Sequence, residues 1–529
     1  YRKFSDDFLV KSEVIEKSNL LKKGELFNQE NYDNTFNSLS NLSIYRFVRI
    51  KYEPVVETDT VNFIIELTPS QKMEMGVDFE VNYTNRSTSA GTGNLIGISL
   101  SPSLRHRNIF KGAESLFSSL SLGAEINQNV KGPRLWNTID IRLQNDLLLP
   151  SFKDYFGFWN QLNKLKISKL YNSLNINSVT RITTSFNYLH LLDFYRYNLF
   201  NAAYGFEVSE DEIKRYFINH IGIDFLLPEI NPEFLGVLGD NTFFQRSFGR
   251  QLFVGFLFRE LGYTYNGRQN RFGESNYFGL NFELSGLEVQ AINSLVNSFS
   301  EKRDTFSFGT TDFSKYIRIE FDGRYIRQIT SQRSIAGRVN IGLATPFGYS
   351  TEVPYVKQFY VGGPNSIRAW AARGLGPGGY DDPLTTSNRN RLLFYQTGDI
   401  KLEGSAEYRF NLFWRLRGAL FVDIGNVWTI NEDLNRIGSQ FLLKQKDIIK
   451  DGNQFTVDPF YKQFAIGSGL GMRFDFTYFL FRLDMGVRLR NPFPEVTGVD
   501  SRLEKYYWQN FAKFGLRDIN FNFALGLPF

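Results

Sequence analysis

The chain has 529 residues, a formal net charge of +5 and no cysteine, which excludes disulfide bonds, thiol chemistry and a strongly basic nucleic-acid-binding surface. Aromatic residues make up 16% of the sequence, an excess that suits a transmembrane β-barrel, whose rims carry aromatic girdles. No run of about 18 apolar residues occurs, so the sequence predicts no membrane-spanning helix. The histidines are few and scattered, and we expect neither a metal site nor another cofactor.

The N-terminal part of the chain differs from the rest in its periodicity. Apolar residues recur at helical spacing through residues 11–42, and two segments, 46–54 and 60–69, then alternate apolar and polar side chains. This order predicts two helices followed by a β-hairpin. We therefore expect a small α+β domain over residues 1–70.

Residues 71–529 alternate with a period of two instead. Met73, Met75 and further apolar residues up to Tyr83 occupy one face of the first such segment, and polar residues occupy the other. Segments of about ten alternating residues, including 251–264, recur about sixteen times, which is the pattern of a transmembrane barrel. We therefore predict an all-β transmembrane barrel of about sixteen antiparallel strands over residues 71–529. A soluble β-sandwich or propeller is the alternative, but its strands are shorter.

One connection, residues 347–395, is long and has no regular pattern of its own. Connections of this length inside a folded domain usually carry function. This one contains an arginine among small residues, and a guanidinium in such surroundings can hold a carboxylate in one geometry. The candidate residues are Gly362, Gly363, Ile367, Arg368, Ala369 and Trp370. On the residues alone, a solvated surface loop is an equal alternative.

Two motifs, Gly-Gly-Pro-Asn-Ser-Ile-Arg-Ala-Trp at 362–370 and Phe-Val-Asp-Ile-Gly-Asn-Val-Trp at 421–428, resemble those of the Omp85 superfamily. In that family an external loop folds back into the lumen of a surface-antigen (D15-type) barrel and carries the pattern V-R-G-[FY]. Here Ala369 stands in place of the glycine and Trp370 in place of the phenylalanine or tyrosine. The resemblance implies that Arg368 contacts acidic residues on the inner face of the next strands. The candidate partners are Glu407 and Asp423.

The resemblance extends to both ends of the chain. Residues 1–70 look like a POTRA domain, which in this family is periplasmic, and we expect it to be the last of several. Residues 520–529 look like the terminal strand of outer-membrane proteins. In this family the first and last strands pair weakly and can separate, so the resemblance implies a lateral seam. Its candidate residues are Val77, Phe79, Val81, Phe521, Phe523, Leu525, Gly526 and Phe529.

The function implied by the resemblance is insertion or translocation of outer-membrane proteins through a lateral gate in the bacterial outer membrane. The form of the loop favours the TamA-like branch, including its lipoprotein relatives. The alternatives are a BamA-type central assembly subunit, a lipid-transport partner of a TamB-like bridge, a two-partner secretion exporter and a passive porin or receptor. The implied partners are unfolded outer-membrane protein clients, a TamB-like periplasmic protein or assembly-complex subunits, and outer-membrane lipids. No enzyme is expected, and no G-x-S-x-G elbow of a hydrolase occurs.

Overall fold

The computed structural model describes residues 10–42, 44–55, 58–88, 91–127, 136–150, 152–164, 178–191, 195–209, 213–232, 249–299, 306–309, 311–381, 396–476, 480–497, 504–509, 511, 514–515 and 518–525. The α-helices among these residues are α1 (Ser12–Ser18), α2 (Gln29–Asn41), α3 (Phe158–Lys164) and α4 (Leu287–Ser298), and single 3-10 turns lie at Tyr355–Lys357 and Phe460–Lys462. Within these ranges, no helix combines the length and the apolar character needed to cross a membrane.

A small α+β module precedes the main sheet. Helices α1 and α2 are followed by the antiparallel hairpin of β1 (Tyr45–Val55) and β2 (Thr60–Pro69). The side chain of Asn28 caps α2 by accepting a hydrogen bond from the main-chain N–H of Glu30, as helix N-caps commonly do. The helices and the hairpin expected from the periodicity are thus present, while their assignment as a POTRA domain stays a prediction.

The rest of the chain is dominated by strands. They are β3 (Met73–Thr88), β4 (Gly91–Arg107), β5 (Ser115–Asn127), β6 (Trp136–Pro150), β7 (Ser178–Leu191), β8 (Tyr195–Ser209), β9 (Lys214–Ile230), β10 (Gln251–Gly255), β11 (Glu260–Asn266), β12 (Glu274–Ser285), β13 (Ser307–Phe308), β14 (Thr311–Phe313), β15 (Tyr316–Thr330), β16 (Arg333–Pro346), β17 (Ile400–Phe413), β18 (Leu416–Trp428), β19 (Lys446–Lys450), β20 (Asn453–Val457), β21 (Ala465–Asp475), β22 (Leu480–Thr497), β23 (Glu504–Trp508) and β24 (Ile519–Leu525).

The long strands pair in chain order, each antiparallel to the next, as in a barrel. Two of them are interrupted. The pair β10 and β11 runs along one neighbour, β9, and β23 and β24 both run along β22. Counting each interrupted pair as one strand and leaving out the short strands β13 and β14 gives sixteen. The predicted large antiparallel sheet of about sixteen strands is therefore confirmed, although the segment 251–264 is broken at residues 256–259.

The two faces of the sheet differ in exposure, as the period of two requires. In β18, Leu420, Val422 and Ile424 are exposed, whereas Phe421 and Asp423 are buried. The exposed apolar side chains point away from the ring of strands, and the buried charged side chains point into it. This is the reverse of a water-soluble sheet and matches a wall that has lipid outside and protein inside.

The ends of the ring are joined weakly. Strand β24 pairs with β22 from Leu525–Phe481 to Ile519–Val487. On its other side, the part of the chain that the structure describes pairs with β3 at two positions, Asn522 with Thr84 and Phe523 with Tyr83. We call this junction of β3 with β24 the seam.

The segment between β16 and β17 fills part of the ring, and we call its described residues, 347–381 and 396–399, the inserted segment. Its apolar side chains form a buried cluster with residues of the surrounding strands. The members are Ala344, Val353, Phe359, Val361, Ile367, Ala369, Trp370, Leu375, Val427 and Ala465. Because each strand reverses direction, this segment enters from the rim opposite the N-terminal module.

The module is docked on the ring through the turn 108–114, between β4 and β5. The main-chain N–H of Lys11 donates to the carbonyl of Lys111 at 3.0 Å. Ala113 belongs to the same buried cluster as Leu39 and Leu42 of the module. The turn thus completes the module's hydrophobic core.

Candidate functional site

The candidate site is the tip of the inserted segment, residues 362–373, where glycines permit a tight backbone. Gly362 and Gly363 have φ of 98° and 94°, and a Cβ on Gly362 would lie 2.1 Å from the carbonyl oxygen of Ala371. Only glycine adopts such a conformation without strain. Ala369, by contrast, is not among the described residues with positive φ. An alanine is therefore compatible with the position where the family pattern has glycine.

Arg368 is fully buried at the tip and contacts both predicted partners. Its main-chain N–H and Nε donate to Oδ2 of Asp423 at 3.0 and 2.9 Å, and Nη2 donates to Oδ1 at 2.9 Å. Nη1 donates to Oε2 of Glu407 at 2.6 Å. The guanidinium also lies 3.5 Å from the ring centroid of Phe421. The arginine fork is thus fixed in position and orientation by two carboxylates and a ring.

Further charged residues surround this contact. Arg473 donates to Asp484 at 2.7 Å and to Glu407 at 3.1 Å, and Arg409 donates to Glu407 at 2.9 Å. Arg482 lies 3.4 Å from Asp484. Together with Arg368 and Asp423, these residues bring four arginines and three carboxylates into one network, and we call it the Arg368 network.

Burial makes the network sensitive to the loss of any partner. By itself, burial would lower the pKa of Arg368, but Asp423 and Glu407 outweigh it and hold the pKa above the ordinary arginine value. The side chain therefore stays charged. A buried charge needs its partner, because a group left unpaired in the interior has lost its hydration without compensation.

The last strand also contacts the tip. The side-chain amides of Asn520 and Asn522 both donate to the main-chain carbonyl of Arg368, each at 2.8 Å. Both side chains point into the ring. The strand that forms one side of the seam is thus hydrogen-bonded to the residue that carries the Arg368 network.

Glycines on the inner wall make room for the tip. A Cβ on Gly467 would lie 2.5 Å from the Cβ of Ala369, and a Cβ on Gly486 would lie 2.5 Å from the carbonyl oxygen of Arg368. Any larger residue at Gly486 would displace the tip from the wall. Gly467, at the start of the glycine-rich run 467–471, is therefore a packing position for the inserted segment, as is Gly486.

A second charged contact holds the beginning of the inserted segment to β12. Lys357 Nζ donates to Oε1 of Glu283 at 2.5 Å. Arg259 and the hydroxyl of Tyr316 donate to the same oxygen, each at 2.7 Å. Arg259 also donates to Asp224 at 2.7 Å. We call these residues the Lys357 network; the sequence analysis did not identify it.

The break in β10 and β11 places Arg259 in this network. Gly255 pairs with Gly222 and Glu260 pairs with Asn219, so residues 256–259 face only residues 220 and 221 of β9. The extra residues form a bulge, which redirects side chains. Its consequence here is that Arg259 points into the ring while Phe256 and Leu257 are exposed.

The predicted seam residues are only partly described. Val77 and Phe79 are exposed on β3, but the described seam pairs lie further along this strand, at Tyr83 and Thr84. The register of those pairs places Leu525 level with Val81, and the structure describes the backbone but not the side chains of these two residues. Phe521 and Phe523 are half-buried in β24. Gly526 and Phe529 lie outside the described residues.

The described residues contain no cluster of histidine, aspartate or glutamate side chains arranged to hold a metal ion. The arrangement at the candidate site is one of fixed ion pairs and hydrogen bonds. Such a site can set the position of a segment and of a strand relative to each other.

The sequence matches one family model, and the structure is similar in fold to solved outer-membrane proteins. A model described as the Omp85 superfamily domain matches residues 259–529. BamA from Haemophilus ducreyi lacking POTRA domains 1–3 is similar in structure, with a TM-score of 0.55 and 13% identity over 98% of this chain and 82% of that one. CdiB from Acinetobacter baumannii is similar with a TM-score of 0.52 and 13% identity over 98% and 71% of the two chains. No curated protein matches the sequence.

Proposed function

Because the chain belongs to the Omp85 superfamily, a family of outer-membrane insertion and translocation proteins, we propose that it inserts outer-membrane proteins through a lateral gate at the seam. The membrane-spanning part is the sixteen-stranded sheet, whose exposed outer face is apolar. The N-terminal module is the periplasmic POTRA domain. The mechanism requires no covalent chemistry.

The observation that carries this proposal is the unequal bonding of β24. Over residues 519–525 it has a regular ladder towards β22 but two residue pairs towards β3. Two pairs can be separated at a smaller cost in hydrogen bonds than any long ladder of the sheet. A client strand can then pair with the freed edge, because an unpaired strand edge is a template for another strand.

The Arg368 network supports the wall while the seam is open. It ties the inserted segment to β17 and β18, and the amides of Asn520 and Asn522 extend this tie to β24. When β24 leaves β3, it therefore remains attached to the interior. The inserted segment acts as an internal brace on one side of the gate.

We assign the protein to the TamA-like branch on the loop motif 362–378. In this assignment the β1–β2 hairpin recruits a TamB-like periplasmic protein or a client by adding a strand to its edge. That hairpin is a sheet of two strands, with Phe47 and Tyr52 exposed. Assembly as a BamA-type subunit, lipid transport and two-partner secretion are the alternatives.

Disulfide trapping across the seam tests the proposal. The chain has no native cysteine, so Tyr83→Cys with Phe523→Cys gives one possible bridge between directly paired residues. The matched control is Leu483→Cys with Phe523→Cys, which bridges β24 to its other neighbour. We expect the first bridge to abolish client insertion and reduction to restore it, while the control bridge leaves insertion intact.

Normal client insertion with the seam bridged would overturn the lateral gate. Transport through the lumen, as in an exporter, would then be the better account.

A further inference from the structure

Helix α4 carries its apolar face on the outside. Ile292, Leu295, Val296 and Phe299 recur at helical spacing and are 55%, 61%, 44% and 86% exposed. Two asparagines of the same helix point towards the protein instead. Asn293 is fully buried, and the side-chain amide of Asn297 donates to the hydroxyl of Tyr349 at 3.3 Å. In water this orientation would expose the apolar face of the helix while covering two of its asparagines, and both the exposure and the burial are unfavourable.

The helix lies against the outer surface of the wall. Val289 packs with Leu252 and Val254 of β10, whose side chains point away from the lumen, since the intervening Phe253 points into it. Glu288 accepts hydrogen bonds from the main-chain N–H groups of Phe256 and Leu257 in the bulge. The helix is thus fixed to the wall at its rim.

The exposed face is continuous with the apolar outer face of the strands. Phe256 and Leu257 of the bulge are about half exposed beside α4, and the outward residues Ile223, Phe278 and Leu280 of the neighbouring strands are also exposed. The strand surface is the lipid-facing surface of an outer-membrane barrel. The helix extends that surface towards the rim opposite the N-terminal module.

We propose that α4 lies in the outer leaflet of the membrane, with Ile292, Leu295, Val296 and Phe299 among the lipid acyl chains. A helix at an interface binds lipid through its buried apolar area. The helix follows the ninth of the sixteen strands, so this lipid contact lies across the ring from the seam. It holds one wall in the bilayer while the opposite wall opens.

Nitroxide accessibility tests the proposal in the full chain. Leu295→Cys and Phe299→Cys each introduce the only cysteine of the protein. Both side chains are exposed, so a spin label at either position leaves the core intact. The labelled proteins are reconstituted in vesicles of dioleoyl phosphatidylcholine, and relaxation of the label by oxygen and by a water-soluble nickel chelate is compared.

Two further single-cysteine variants calibrate the measurement. Leu280→Cys lies on the outward face of β12, and Leu443→Cys is 72% exposed in the connection between β18 and β21, at the same rim as α4. We expect the labels at 295 and 299 to behave like the label at 280, with a ratio of oxygen to nickel accessibility severalfold above that of the label at 443. A ratio equal to that at 443 places the helix in water and overturns the proposal. Low accessibility to both reagents indicates contact with protein and also overturns it.

Discussion

Two charged side chains of the inserted segment, Arg368 and Lys357, are paired with carboxylates of the wall, and the two contacts differ in chemistry. At Arg368, a planar guanidinium and a main-chain N–H are fixed by Asp423 and Glu407. At Lys357, a single ammonium on a flexible stem donates to Glu283. A guanidinium fork specifies distance and orientation, whereas an ammonium specifies charge and tolerates displacement. The tip is therefore the rigid anchor of the segment, and the Lys357 end is the adjustable one.

The largest expected effect comes from removing the rigid anchor. Arg368→Ala leaves the buried Asp423 without its main partner and removes one of the three arginines that contact Glu407, and we expect a loss of about 3–5 kcal/mol in the free energy of unfolding. Urea unfolding followed by heat-modifiable gel mobility measures it, and protease cleavage of residues 347–381 reports on docking. Asp423→Asn should act in the same direction, and Arg368→Lys should lie between. Unchanged protease resistance in Arg368→Ala and Asp423→Asn would contradict a docking role for the Arg368 network.

A smaller effect is expected at the adjustable anchor. Lys357→Met leaves Glu283 hydrogen-bonded to Arg259 and Tyr316, so we expect a loss of about 1–3 kcal/mol in the same unfolding assay. Lys444→Met, at an exposed position in the connection between β18 and β21, is the matched control, with an expected change within about 0.5 kcal/mol. If Lys357→Met destabilised the protein as much as Arg368→Ala, the two anchors would be equivalent.

The smallest effect on stability is expected at the last strand. Asn520→Ala and Asn522→Ala each remove one neutral hydrogen bond to the carbonyl of Arg368, worth about 0.5–1.5 kcal/mol. We expect the double variant to alter the rate at which the Tyr83→Cys–Phe523→Cys bridge forms, while the control bridge to Leu483→Cys forms at its usual rate. Equal changes in both rates would mean that the amides support β24 in general rather than coupling the tip to the seam.

Much of this architecture follows from local sequence patterns. The alternation of apolar and polar residues with a period of two predicted the sheet, because this alternation can be read within each strand without knowing which strands lie beside it. The contact of Arg368 with Glu407 and Asp423 was expected only through the family resemblance, since nothing in the spacing relates residues so far apart in sequence.

The parts that were missed depend on which inward positions meet across the lumen. Asn520 and Asn522 lie at alternate, inward positions of β24. The sequence analysis assigned the outward aromatic residues of this strand to the seam and did not consider the inward amides. Lys357 and Glu283 carry no motif, and they meet because a bulge and a turn bring them together. One signal was available in the sequence. Glycines at the inward positions 467, 469 and 471 indicate that something packs closely against that face.

The turn at 108–114 packs against the N-terminal module, so the domain boundary at residue 70 does not separate the two parts completely. Because Ala113 shares a hydrophobic cluster with Leu39 and Leu42, a cut at the boundary removes one buried residue from the core of the module. The module and the turn between β4 and β5 are therefore coupled through a shared hydrophobic contact. Tilting the module away from the rim would require water to enter that core, so its freedom to swing is limited by the stability of its own interior.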